Sequence, residues 1–151
     1  MRALLQRVTE ARVSLVDDGG TETPLAAIGP GLVVLVCAEP ADTDETAQFF
    51  ARKVANMRMF EDAEGKTNLS IQDVGGQALV ISQFTLAADW KRGNRPGFSG
   101  AADPQTAERL YLKFADFLRA EGVDAATGKF RSHMRVSLTN DGPFTIWMDS
   151  D

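Results

Sequence analysis

The chain has 151 residues, of which 44% are hydrophobic and 25% are charged, and its formal net charge is −5 at pH 7. This length suits one domain that buries about two-thirds of the unfolded surface, so we expect a single domain over residues 1–151. The acidity argues against broad contact with a nucleic acid duplex, and we expect no DNA partner. No apolar run approaches the ~20 residues of a membrane span, so no membrane partner is expected.

One cysteine and one histidine restrict the redox and metal chemistry of the chain. Cys37 lies in an apolar run that predicts a buried thiol, and a single cysteine cannot form an internal disulfide. His133 is expected at the surface or at a rim. No zinc site is predicted from the usual ligands, and we expect no cofactor. The first residues lack the ~7 apolar positions of a secretory signal, which together with the cysteine content indicates the cytoplasm.

The apolar spacing along the chain predicts strands and two main helices. A continuous apolar run at 31–38 predicts a central strand that is buried on both faces. Helices are expected from about Thr43 to Met57 and from Asp103 to Gly122, where an acidic cap precedes a proline at the first helical position. Other strands are expected at 3–8, 11–16, 58–61, 70–74, 77–86, 134–140 and 144–149. We predict an α+β fold with a mostly antiparallel or mixed sheet that curls toward a barrel, with the two helices packed on it.

The predicted strand before residue 87 ends in a polar segment that is a candidate site. On a strand, Ser82, Phe84 and Leu86 would share one face, and Gln83 and Thr85 would share the other. The polar side chains either satisfy neighbouring backbone groups or form a site at the strand end. No base lies beside Thr85 in the sequence to activate its hydroxyl. A site built here would therefore act mainly through fixed main-chain groups.

Gly142 and Pro143 lie between the last two predicted strands. A plain hairpin turn is one explanation of this pair. The other is a cis peptide bond, which would hold successive carbonyls as a rigid pair that points in one direction. The local pattern leaves both explanations open.

Positive charge is concentrated in a loop between two aromatic residues, Trp90 and Phe98. Its cations are Lys91, Arg92 and Arg95. Such a loop is suited to holding a few phosphates and stacking a base, and it is equally well explained as a solvated loop with incidental charges.

Five spaced segments resemble those of D-aminoacyl-tRNA deacylases of the bacterial and eukaryotic type, in the same order and over almost the whole chain. They are Gln-Arg-Val at 6–8, Ser-Gln-Phe-Thr-Leu at 82–86, Arg-Pro-Gly-Phe-Ser at 95–99, Thr-Gly-Lys-Phe at 127–130 and Asn-Asp-Gly-Pro-Phe-Thr at 140–145. The resemblance implies hydrolysis of the ester that joins a D-amino acid to the 3′-terminal adenosine of tRNA, with no cofactor.

The resemblance also implies how the substrate's handedness is selected. It implies a homodimer with active sites at the interface, in which a cis Gly142–Pro143 bond of one subunit reaches into the pocket of the other. The carbonyls of this pair would occupy the place of an L side chain, whereas glycyl-tRNA would be accepted because glycine has no side chain. Arg7 would brace this loop, and Phe130 and Met134 would line the pocket.

For the chemistry, the resemblance places an oxyanion hole at the backbone N–H groups near Phe84 and Thr85, with Ser82 and Gln83 beside them. The terminal adenosine would bind around Phe84. Because an aminoacyl ester is already reactive, a water molecule beside the 2′-hydroxyl of the RNA would suffice for its attack. The basic loop, including Phe98, is the candidate contact to the rest of the RNA.

Two departures from the family pattern stand out. The segment 131–133 is Arg-Ser-His where small or acidic residues are usual, which predicts a more basic pocket mouth and bears on substrate preference. Phe144 replaces what is often a smaller aliphatic residue and would pack more tightly on Pro143.

Two other classes of function remain as alternatives to the deacylase. One is a non-catalytic module that binds RNA ends through the basic loop. The other is a small-molecule esterase or amidase with Thr85 as its nucleophile.

Overall fold

The structure is a computed structural model that describes residues 1–150. Its strands are β1 (Arg2–Val16), β2 (Glu22–Ile28), β3 (Gly31–Cys37), β4 (Phe60–Glu61), β5 (Thr67–Leu69), β6 (Gln77–Ser82), β7 (Asp124–Thr127) and β8 (Met134–Asp149). Its helices are α1 (Asp44–Asn56), α2 (Pro104–Ala120) and a short 3₁₀ helix at Phe84–Ala87.

The main sheet has the strand order β2-β1-β3-β6-β7, and β8 pairs with the other side of β1. β1 is antiparallel to β2, β3 and β8, whereas β3 pairs with β6 and β6 with β7 in parallel. β2 also contacts β6 and β7 across the concave side, so the sheet curls almost into a barrel. The predicted α+β fold, with a mixed sheet and two main helices in a single domain, is confirmed.

The predicted central strand is confirmed as β3, and its alternating side chains enter two separate cores. Leu32 and Val34 pack between the sheet and the helices, together with Phe50 and Phe114. Val33 points the other way into a smaller core inside the curl of the sheet. Both faces of β3 are therefore buried, which explains why its sequence is continuously apolar instead of alternating.

The two helices begin at the residues that the sequence predicts. Thr43 caps α1 through a capping box with Thr46. Asp103 caps α2 by accepting hydrogen bonds from the backbone N–H groups of Gln105 and Thr106, and Gly122 follows the helix at φ +93°. These caps supply acceptors for the N–H groups that a helix leaves unpaired at its start.

Several predicted strand boundaries are wrong, because pairing partners decide them. The two strands expected at 3–8 and 11–16 are the single strand β1. Along one edge, the first half of β1 pairs with β3 and the second half pairs with β2. The strand expected at 70–74 is a turn, in which Asp73 accepts hydrogen bonds from the backbone and hydroxyl of Ser70. β2, β5 and β7 were not predicted. β2 is mostly exposed and carries a proline, and β5 and β7 are only three and four residues long.

The last two predicted strands are also one strand, β8, which runs along β1. Gln6 pairs with Thr145 and Val8 pairs with Asn140, so Arg7 alone lies opposite residues 141–144. We call these four residues the bulge. The chain does not reverse there, and the hairpin explanation of Gly142 and Pro143 is wrong.

Candidate active site

The end of β6 presents two main-chain donors. The backbone N–H of Gln83 donates to Val36 (2.8 Å) and continues the pairing with β3, after which the chain enters the 3₁₀ helix. Further along, the N–H of Leu86 donates to the carbonyl of Gln83, and the N–H of Ala88, just after the helix, donates to the carbonyl of Thr85. As the first two residues of the helix, Phe84 and Thr85 have N–H groups without an intrahelical acceptor. The strand-like alternation predicted for residues 82–86 is therefore wrong beyond Gln83.

The hydroxyl of Thr85 is not activated by a base. Its oxygen accepts a hydrogen bond from the side-chain amide nitrogen of Gln83 at 2.6 Å. An amide nitrogen donates protons and does not take them up, so this pair orients Thr85 without making it a nucleophile.

A cavity of about 420 Å³ opens beside the 3₁₀ helix. It brings together five of the predicted site residues, namely Ser82, Phe84, Phe98, Phe130 and Met134. Their positions come from β6, the basic loop and the segment between β7 and β8, which the parallel arrangement of β3, β6 and β7 places at one edge of the sheet. The volume lies in the range of small-molecule sites.

Aromatic side chains form two walls of this cavity. Phe84 and Phe98 contact each other edge to face, with ring centroids 5.1 Å apart, and Phe130 stacks on Tyr111 at 6.4 Å. The Tyr111 hydroxyl donates to the carbonyl of Val80 at 3.1 Å. Because burial raises its pKa, Tyr111 remains a protonated donor and holds α2 against the strand that leads to the site.

Arg131, which the resemblance places at the pocket mouth, is one of the lining residues. Other lining residues were not predicted: Cys37 and Ala38 lie at the end of β3, and Ala102 and Pro104 at the start of α2. The first two were predictable in principle, since the carboxyl ends of two neighbouring parallel strands meet at the same edge. The others carry no local signal, because only the packing of α2 against the sheet brings them to the cavity.

The thiol of Cys37 is a structural group of the cavity wall. Its sulfur lies 3.6 Å from the carbonyl oxygen of Phe84, and the residue is buried, as predicted. The pKa of the Cys37 thiol is raised to about 11, mainly by burial and further by the negative charge of nearby Glu39. The thiol therefore stays protonated and unreactive at neutral pH.

We expect iodoacetamide to alkylate Cys37 at pH 8 at least about a hundredfold more slowly in the folded protein than in the unfolded protein, because the raised pKa lowers the thiolate fraction by roughly that factor. Mass spectrometry with and without denaturant measures the two rates. Equal rates would show that the thiol is accessible and ionises normally.

Arg7, on the neighbouring strand β1, holds the bulge of residues 141–144 in place. The peptide bond between Gly142 and Pro143 is cis. Arg7 is buried and donates to the carbonyl oxygens of Asp141 (2.9 Å) and Met59 (2.7 Å), and its guanidinium lies 4.6 Å from the ring centroid of Phe144. These contacts fix the base of the bulge and leave Gly142 and Pro143 exposed.

Asn140, which precedes the bulge on β8, closes it by bonding to β1 and to the far end of the bulge. Its side-chain nitrogen donates to the carbonyl oxygens of Arg7 (2.8 Å) and Phe144 (3.2 Å). The structure thus joins Arg7 to the bulge, whereas Gly142 and Pro143 are not among the residues that line the cavity of the same chain.

One residue, Phe98, connects the basic loop to the cavity. Backbone hydrogen bonds between Asp89 and Gly97 close the loop, and Phe98 leaves it to pack on Phe84. The side chains of the loop cations are exposed and form no hydrogen bond or ion pair within residues 1–150; they are Lys91, Arg92 and Arg95. Trp90 is 73% exposed. His133 is also exposed, as predicted.

Over residues 1–150, no group of three or more His, Cys, Asp and Glu side chains is placed to hold a metal ion. Within the same range, neither the length nor the hydropathy of any helix suffices to cross a membrane.

Solved structures resemble this fold over the whole chain. One, titled c-Myc DNA Unwinding Element Binding Protein, is 37% identical with a TM-score of 0.88, and the match covers 100% of this chain and 99% of that one. Another, titled as the structural analysis of a probable eukaryotic D-amino acid tRNA deacylase, is 19% identical with a TM-score of 0.80 over 97% of both chains. At that identity the second likeness concerns the fold alone.

Curated relatives are more similar in sequence. A D-aminoacyl-tRNA deacylase of Dinoroseobacter shibae is 56% identical over 149 residues, which is 99% of both chains. One of Paracoccus denitrificans is 54% identical over 150 residues, covering 99% of this chain and 97% of the relative. A family model described as D-Tyr-tRNA(Tyr) deacylase matches residues 4–149. The resemblance drawn from the sequence is confirmed, as is the prediction of an enzyme: the chain belongs to the D-Tyr-tRNA(Tyr) deacylase family of hydrolases.

Proposed function

We propose that this protein hydrolyses the ester bond of D-aminoacyl-tRNA and releases free tRNA and the D-amino acid. The observation that carries the proposal is the pair of main-chain N–H groups at Phe84 and Thr85, which lies beside an aromatic cavity and lacks intrahelical acceptors. Fixed donors of this kind stabilise the oxyanion of acyl transfer. Family membership supplies the substrate class.

The terminal adenosine of the tRNA binds in the cavity. Phe84, Phe98 and Phe130 offer ring faces and edges for its base, and base–aromatic stacking contributes about 1–3 kcal/mol per base. This binding places the ribose, and the ester on it, next to the start of the 3₁₀ helix.

Hydrolysis proceeds by attack of water on the ester carbonyl carbon. The N–H groups of Phe84 and Thr85 stabilise the oxyanion that forms, and one good donor contributes about 3–4 kcal/mol to lowering the barrier. The bond between the carbonyl carbon and the ribose oxygen then breaks, and the proton that the attacking water loses passes through the neighbouring 2′-hydroxyl to the leaving ribose oxygen. Gln83 and Ser82 hold the strand end in place, and no side-chain base is required.

The bulge selects the handedness of the amino acid in a homodimer. Its exposed tip, Gly142 and Pro143, enters the cavity mouth of the partner subunit, where the two carbonyl oxygens occupy the space of an L side chain. Two observations support this proposal. Arg7 braces the base of the bulge, and Gly142 and Pro143 do not line the cavity of their own chain. Selection by a clash leaves glycine accepted, so mischarged glycyl-tRNA is a second substrate. Such an activity serves proofreading in translation, which takes place in the cytoplasm.

The basic loop contacts the RNA outside the cavity. Its cations, Lys91, Arg92 and Arg95, are exposed and unpaired within the described chain, as phosphate contacts require. Phe98 connects the loop to the cavity wall through its contact with Phe84.

One assay compares the three classes of function. Purified protein is given D-Tyr-tRNA and, separately, the ethyl ester of D-tyrosine, and the release of tyrosine is followed. The proposal predicts multiple turnovers of the tRNA substrate and little of the small ester. Stoichiometric binding of tRNA without hydrolysis would instead identify an RNA-end binding module, and comparable turnover of both substrates would identify a general esterase.

Thr85→Ala distinguishes main-chain catalysis from nucleophilic attack. We expect this variant to keep at least about a tenth of the wild-type kcat, because the backbone N–H remains and only the contact with Gln83 is lost. Single-turnover deacylation of D-Tyr-tRNA measures it. A loss of a thousandfold or more would instead assign the attack to the Thr85 hydroxyl.

A further inference from the structure

Arg131 is the charged residue of an otherwise neutral cavity. Among residues 1–150, the groups that line the cavity are aromatic, aliphatic or uncharged polar side chains, with Arg131 as the exception. No carboxylate of the described chain lines the cavity, so Arg131 has no counterion there.

The guanidinium of Arg131 has unused donors. Its side chain forms no hydrogen bond or ion pair with residues 1–150, in a protein whose net charge is −5. Arg7, Arg109 and Arg119, by contrast, are each bonded to a carboxylate or carbonyl. An arginine has five N–H donors in a planar fork that matches phosphate and carboxylate oxygens.

The backbone around Arg131 is held in an unusual conformation. Arg131 has φ +53°, a left-handed conformation that residues with a Cβ rarely adopt. The segment is anchored on both sides, because the N–H of Gly128 donates to Val80 (3.0 Å) and the N–H of Val16 donates to His133 (2.9 Å). The side chain therefore starts from a fixed point at the cavity mouth.

We propose that Arg131 binds the phosphodiester on the 5′ side of the terminal nucleoside that occupies the cavity. This inference rests on the proposed function. A nucleoside fits an aromatic cavity, but the phosphate attached to its ribose is costly to bury in apolar surroundings and stays at the mouth. Arg131 supplies the cation there, and a bidentate contact would fix the ribose and its ester relative to the 3₁₀ helix.

Small probes test the phosphate contact directly. Dissociation constants for adenosine and for adenosine 5′-monophosphate are measured by calorimetry on the wild-type protein, on Arg131→Ala and on the matched surface control Arg52→Ala. Wild type and the control are expected to bind the monophosphate at least about tenfold more tightly than adenosine. In Arg131→Ala this preference disappears while adenosine affinity is unchanged. A preference that survives in Arg131→Ala overturns the proposal.

Deacylation assays identify the source of the anion. D-Tyr-tRNA and D-Asp-tRNA are compared with wild type and Arg131→Ala, because a carboxylate of the amino acid is the other group that the guanidinium would bind. A phosphate contact predicts that KM rises by a similar factor for both substrates with little change in kcat. A loss confined to D-Asp-tRNA would assign Arg131 to the amino acid and overturn the phosphate contact.

The two proposals fail in different ways. Wild-type protein that deacylates D-Tyr-tRNA with the same KM as Arg131→Ala refutes the phosphate contact and leaves the function intact. Wild-type protein that binds the monophosphate through Arg131 but hydrolyses nothing refutes the function alone.

Arg131→Gly is the second variant, since glycine adopts positive φ freely and removes the side chain without straining the turn.

Discussion

Gly142→Ala is expected to lower kcat/KM for D-aminoacyl-tRNA by about a hundredfold or more while the protein stays folded. A Cβ at this position would lie 2.3 Å from the backbone nitrogen of Phe144 and 2.6 Å from the side-chain oxygen of Asn140. The bulge must shift to relieve these contacts, and its tip then no longer fits the partner's cavity. Deacylation kinetics, with a thermal melt of the same preparation, measure both effects.

Gly29→Ala is the matched control for this substitution. Its Cβ would meet only a side-chain oxygen of Gln77, at an ordinary contact distance of 3.8 Å. We expect wild-type kinetics from this control. If Gly142→Ala also retained wild-type activity and the wild-type preference for D over L substrates, the bulge would have no part in selecting the substrate.

Arg7→Ala is expected to destabilise the fold and reduce activity together. The substitution leaves the carbonyl oxygens of Met59 and Asp141 without their donor and removes the contact with Phe144. Loss of a buried, charge-assisted pair of hydrogen bonds costs about 3 kcal/mol. For a domain of this size, that cost lowers Tm by roughly 6–12 °C. Differential scanning calorimetry and deacylation kinetics measure the two losses.

Two further variants show whether the loss belongs to the bracing of the bulge. Arg7→Lys keeps the charge but cannot reach both carbonyls in the same geometry, so its Tm and activity should fall between those of Arg7→Ala and wild type. Arg12→Ala removes an exposed arginine of the same strand and should change stability by less than about 0.5 kcal/mol. An Arg7→Ala protein with wild-type Tm would contradict the bracing role.

Local signals explain which elements were predictable from the sequence. α2 was predicted closely because Asp103, Pro104 and Gly122 mark its ends in the sequence itself. The 3₁₀ helix was not, because the apolar pattern of β6 continues to Leu86 although its partner β3 ends at Cys37. What the chain does beyond that point depends on tertiary contacts, such as the hydrogen bond from Arg2 to the carbonyl of Leu86.

The sequence indicated which residues belong to the candidate site, but not how they are arranged in space. The resemblance singled out Phe84, Phe98 and Phe130, and the structure places all three on one cavity. The contact between Arg7 and Asp141 joins residues 134 positions apart, which no periodicity indicates. The place of Arg131 at the mouth likewise depends on how the segment before β8 folds back onto the sheet.

The most direct test of the central claim compares two rates measured with the purified protein: tyrosine release from D-Tyr-tRNA and tyrosine release from L-Tyr-tRNA. The claim is that a rigid main-chain projection excludes the L side chain while fixed N–H groups promote hydrolysis. It predicts that the D substrate is deacylated at least about a hundredfold faster than the L substrate. Equal rates, or faster release from L-Tyr-tRNA, would contradict it.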